Sequence, residues 1–125
     1  MTRLVALVLA VFATATGAGC SSQQDVPAKE AAVRDGIHAI QVAVFLASGG
    51  FDRTRADTFP DPGLVSPSGL KRYLDFWPKN PYTGRPMTQG TGAGDFRYAL
   101  GPGGTSCRLV GFGANGKILI TVAGP

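Results

Sequence analysis

One segment decides what this chain can fold into. Residues 28–48, AKEAAVRDGIHAIQVAVFLAS, place Val33, Ile37, Ile40, Val44 and Ala47 at spacings of four, three, four and three. That period puts them on one face of a helix. Glu30, Arg34, His38 and Gln41 mark the polar side, and Phe45 and Leu46 widen the apolar face where a sheet is expected to cover it. Asp25 or Pro27 is the expected start, and Ser48-Gly49-Gly50 the stop. Gly36 stands inside, where glycine costs about 1 kcal/mol relative to alanine. A single apolar stripe must be covered by another layer, so the rest of the chain has to supply one.

The C-terminal third supplies strands. DFRYAL alternates, with Phe96, Tyr98 and Leu100 on one side. SCRLVGFG and KILITV flank Asn115-Gly116, a pair suited to the positive φ angles of a type I′ hairpin turn. A two-residue turn there sets Gly113 opposite Ile118, Gly111 opposite Ile120 and Leu109 opposite Val122. Phe112 with Leu119 and Val110 with Thr121 then share the other face. Cys107, Leu109, Ile118, Ile120 and Val122 are expected to meet the helix, with Gly111 and Gly113 leaving room for it. The fold class that follows is α+β: one N-terminal amphipathic helix on a small C-terminal three-stranded antiparallel sheet, joined by a long Pro/Gly-rich loop.

The connecting residues 51–94 are dense in turn signals: FPDPG, SPSG, WPKNPYTG and GTGAG. One short helix is expected over Ser68–Phe76, capped by Ser66 or Ser68 and burying Leu70, Tyr73 and Leu74. A loop this long needs pinning, and Phe59, Leu64, Trp77, Tyr82 and Met87 are the expected anchors. FWPKNPYTGRPM (76–87) holds the chain's single Trp. Pro78 and Pro81 fix φ and extend Trp77 and Asn80. Asn80 is placed to bond neighbouring backbone, and Gly84 to take a positive φ. Trp77 and Tyr82 each offer an apolar face with a polar tip. Trp77, Pro78, Asn80, Pro81, Tyr82 and Gly84 together read as a structural clip that fastens the loop to helix and sheet.

The N-terminus reads as an export signal: Arg3, an apolar run from Leu4 to Ala15, then small residues up to Cys20. The run is shorter than the ~20 residues of a membrane-spanning helix. Gly17-Ala18-Gly19-Cys20 resembles a bacterial lipobox, which implies diacylation of Cys20 and membrane anchoring through the lipid. The expected organisation is a signal peptide over 1–19, a polar tether over 20–27 and a globular domain over 28–125. If Cys20 carries lipid, Cys107 stands alone as a small buried residue. If it does not, a Cys20–Cys107 disulfide is open to an exported chain.

Chemistry-bearing motifs point nowhere specific. The net charge of +4 is spread along the chain, so no basic stripe suggests nucleic acid. Gly111 to Gly116 spells G-x-G-x-x-G, but a strand follows where a dinucleotide fold needs a helix. GTGAG lacks the Lys-Ser/Thr of a phosphate loop. His38 has no visible catalytic partners. Asp52, Asp57 and Asp61 match no calcium loop, and Asp75 and Asp95 read as capping or backbone-bonding groups. No catalytic set, cofactor or metal is expected.

The helix, WPKNPYTGRPM, GTGAGDFRYAL and LVGFGANGKILITV together resemble the head of type IV pilin-like proteins, close to the major pseudopilins of type II secretion. The resemblance covers roughly residues 28–122. It implies the α+β head, an envelope setting and pilus or secretion-system proteins as partners. Asn115 stands where that group often has an acidic calcium ligand. The apolar run at Leu4 contains no Glu and ends before Cys20, unlike the filament-packing helix of pilins. The expected function is thus a non-enzymatic, lipid-anchored envelope protein with a structural or interaction role. The alternative is an exported module binding a small ligand or glycan on the 51–94 loop.

Overall fold

The computed structural model describes residues 21–49 and 58–124, with the side chains of 21–24 excepted. Helix α1 spans Ser21–Ala47. Strands β1 (Phe96–Leu100), β2 (Cys107–Phe112) and β3 (Ile118–Gly124) form one antiparallel sheet in the order β1-β2-β3. The helix packs on β2 and β3. The α+β class read from the sequence is therefore the observed one.

The stripe expected on α1 is the buried one. Val33, Ile37 and Ile40 are fully buried, with Ala43 and Val44 beside them. They join Leu109, Phe96, Tyr98, Met87, Leu70 and Val65 in one core. Each fully buried aliphatic side chain contributes about 1.5–3 kcal/mol. Gly111 lies under the helix: a Cβ there would sit 2.7 Å from Ile37 and 3.1 Å from both Ile120 and Val33. The absence of a side chain on β2 is what lets α1 approach so closely.

Three expectations are corrected. The stretch read as a tether, 21–27, is the start of α1, with Pro27 inside the helix. Pro27 removes one backbone donor and crowds the preceding turn, yet the helix runs through it. Ser68–Phe76 is not a helix. Leu70 N–H bonds Ser66 O and Leu74 N–H bonds Leu70 O, giving successive turns that do not propagate. Ser66 Oγ does cap them, accepting from Gly69 N–H at 3.0 Å. Leu70 is buried, but Tyr73 is exposed. Among the anchors, Leu64 is 52 % exposed and Val65 is buried in its place, because the 3-10 turn Pro62–Leu64 brings the following residue round to the core.

The hairpin departs from expectation in one register step. Asn115 and Gly116 have φ of 59° and 73°, as a type I′ turn requires. Gly111 faces Ile120, Leu109 faces Val122 and Val110 faces Thr121. Phe112, however, pairs with Ile118, leaving Leu119 as the extra residue of a β-bulge. The bulge inverts the alternation beyond it. Ile118 is 60 % exposed and Leu119 packs on the core. Gly113 accordingly makes room for Leu119, 3.0 Å from its would-be Cβ, and not for Ile118.

Candidate functional site

The clip residues come together as one bonded unit. Met87 N–H donates to Pro78 O at 2.9 Å, and Asn80 N–H to Arg85 O at 2.7 Å. These bonds close 78–87 into a small hairpin, with Gly84 at its tip in positive φ (74°). Trp77 Nε1–H donates to Met87 O at 2.8 Å. The indole lies against Phe96 of β1, ring centroids 6.2 Å apart and planes tilted by 52°. Such tilted pairs add about 0.5–1.5 kcal/mol beyond burial.

Asn80 is the buried polar residue of the unit, 2 % exposed. Its Oδ1 accepts from Tyr82 N–H and its Nδ2–H donates to Ala93 O, both at 2.8 Å. The first bond is local, as the sequence suggested. The second, across to the chain entering β1, was not legible. It depends on Gly94, whose φ is +79° and whose would-be Cβ falls on the Asn80 side chain.

The unit is seated on α1 through Gly36. A Cβ at that position would lie 2.7 Å from Met87 Sδ and 3.0 Å from Pro78 Cβ. A helix-weakening glycine thus serves as a notch for the clip. Nearer the start of α1, Lys29 Nζ lies 5.4 Å from the centroid of the Tyr82 ring. On the other flank, Lys117 meets Glu30 at 3.5 Å and Arg34 Nε–H donates to Leu119 O at 3.4 Å. These exposed contacts are each worth at most about 1 kcal/mol.

The opposite end of the head holds an apolar cavity of about 310 Å³. Gln41, Val42 and Phe45 of α1, Val122 and Ala123 of β3, and Phe59, Cys107 and Leu109 are among its lining residues. Cys107 is a half-buried free thiol, and burial pushes its pKa up, which favours the protonated form. Burial also pushes the Tyr98 hydroxyl up, with the Cys107 and Asp61 charges adding to it. That hydroxyl donates to Pro60 O at 2.7 Å, tying residues 58–65 to the sheet.

Cys20, the lipobox and Asp52 and Asp57 lie outside the described residues. His38 Nδ1 sits 3.4 Å from Gln41 Oε1 on the exposed face of α1. Asp95 Oδ2 accepts from Gly92 N–H at 3.0 Å, a backbone-bonding use of the carboxylate. Among the described residues, no three His, Cys, Asp or Glu side chains converge as a metal site, and no helix is long and apolar enough to cross a membrane. The sequence reading missed the Gly36 notch, for which the only signal was a glycine inside a strong helical pattern. No protein-family model, curated protein or solved structure matches the chain.

Proposed function

We propose that this chain is a non-enzymatic lipoprotein of the bacterial cell envelope, anchored through Cys20. It presents a pseudopilin-like head that serves a structural or interaction role beside a secretion or pilus machine. The observation that carries the reading is the clip. The segment resembling the pseudopilin Trp-Pro-x-Asn-Pro-Tyr-x-Gly is used for architecture, with Trp77 on Met87 O and Phe96 and the hairpin seated on Gly36. Because α1 already includes Ser21, next to Cys20, the head in this reading joins its anchor through a helix and not a slack tether.

The test of the anchor is metabolic labelling with a fatty acid. The wild-type chain is expected to take up label and Cys20→Ala to take up none; an unlabelled wild type contradicts the anchor. The test of the role is cross-linking in cells, which is expected to recover envelope assembly proteins. Recovery of the chain with itself alone counts against it.

A second reading, a ligand-binding module on the 51–94 loop, is favoured by Phe76, which stands 90 % exposed next to the clip. In that reading Phe76, and not Trp77, is the aromatic surface offered to a small ligand or glycan.

A further inference from the structure

The two edges of the sheet are treated differently. At β1, Phe96 N–H donates to Thr88 O and Phe96 O accepts from Gly90 N–H, so the start of that edge is covered. Among the described residues, no strand pairs with the outer edge of β3. Residues 118–124, ILITVAG, contain none of the charges or prolines that usually blunt an edge. The bulge at Leu119, with Arg34 on its carbonyl, protects only the beginning.

The direction of the free backbone groups follows from the ladder. Phe112 N–H donates to Asp95 O at 3.0 Å, and Phe112 O accepts from Gly94 N–H at 2.9 Å, so Phe112 turns away from β3. Alternation along an antiparallel strand then turns Gly111 and Leu109 toward β3, where they face Ile120 and Val122. Thr121 and Ala123 are left with N–H and C=O pointing outward. The apolar cavity borders this same edge, with Gln41 and Val42 of α1 and Val122 and Ala123 of β3 in its lining. Val42, on its rim, is 57 % exposed.

We infer that the β3 edge is the interface for a second copy of this chain, paired antiparallel about a two-fold axis at Val122. This register uses every outward group beyond the bulge: Thr121 bonds Ala123 of the second copy, and Ala123 bonds its Thr121. Val122 meets its counterpart as a non-hydrogen-bonded pair, the closer type of antiparallel pairing. Both Val122 side chains lie on the helix side, so the two cavities merge around the axis. The helices also fit. With α1 over β2 and β3 and strands about 4.8 Å apart, the two helix axes fall about 10 Å apart, a packed helix spacing. An isologous pairing of this kind closes at two copies and leaves no further β3 edge exposed. The pairing rests on two short hydrogen-bonded residue pairs and one apolar contact, the scale of a weak, transient contact, for which an affinity on the order of micromolar is expected.

Sedimentation equilibrium of the full chain in detergent tests the inference, with or without the anchor. A monomer–dimer equilibrium is expected between about 1 and 200 µM. Thr121→Pro removes an outward N–H and no ladder bond, so it is expected to keep the wild-type circular dichroism and weaken association at least about tenfold. Ala123→Pro serves the same purpose should Thr121→Pro unfold. In a Cys20→Ala, Cys107→Ala background, Val122→Cys is expected to give a disulfide-linked dimer on oxidation, because paired Cα atoms there fall within disulfide range. A chain that stays monomeric throughout, folded proline variants that dimerise unchanged, or a dimer that Val122→Cys does not cross-link each overturn the inference. A wild type without fatty-acid label would leave it standing.

Discussion

Trp77→Ala is expected to destabilise the head by about 3 kcal/mol, within the cost of truncating a packed aromatic residue. The indole is partly buried against the core and tilted on Phe96. Its loss also leaves Met87 O without the Nε1–H donor, in a residue that is fully buried. An orphaned buried carbonyl adds about 1–3 kcal/mol, while the partial exposure of the ring reduces the packing loss. In a thermal melt of the purified chain the midpoint should fall by on the order of 15 °C. A variant that melts like the wild type but loses a ligand would transfer Trp77 from the clip to a binding surface.

Gly94→Ala is expected to be as damaging through a different mechanism. Its φ of +79° disfavours any residue with a Cβ, and that Cβ would occupy the space of the Asn80 side chain. Asn80 can then no longer bond both Ala93 O and Tyr82 N–H. The backbone term is about 1–2 kcal/mol, and the buried bonds lost with it bring the expected total to about 3–4 kcal/mol. Asn80→Ala in the same background discriminates between the terms. It should relieve the overlap, so that the double variant is about as stable as Asn80→Ala with the backbone term alone added. Chemical denaturation of the four proteins measures this directly. Additivity of the full single-variant effects would show that Gly94 and Asn80 do not share that space.

What was legible in the sequence follows from which signals are periodic or local. The α1 stripe was legible because Val33, Ile37, Ile40 and Val44 repeat at helical spacing, and their burial follows it. The Asn115-Gly116 turn was legible because positive φ at both positions is a local demand that few residue pairs meet. The bulge was not, because Ile118-Leu119-Ile120 is apolar at every position and an unbroken apolar run carries no phase. Either Ile118 or Leu119 satisfies the pattern, and Leu119 is the one that fits over Gly113. The clip was legible as a rigid aromatic segment, but its seat was not. Gly36 precedes Pro78 and Met87 by over forty residues, and such a complementarity appears only once the chain is folded. Asn80 was half legible: its bond to Tyr82 N–H is a turn property, whereas its bond to Ala93 O is tertiary.

The role proposed for this head rests on a proline-stiffened hairpin docked in a notch of the helix. A double-mutant cycle on Gly36→Ala and Met87→Ala, read by chemical denaturation, tests that docking most directly. In an open helix Gly→Ala stabilises by about 1 kcal/mol. Here the added methyl meets Met87 Sδ and Pro78 Cβ, so Gly36→Ala is expected to lower stability by about 1 kcal/mol. Once Met87→Ala has vacated the space, the same change should cost much less, a coupling of about 1 kcal/mol. A Gly36→Ala chain that gains stability, with effects that add independently of Met87, would contradict the account.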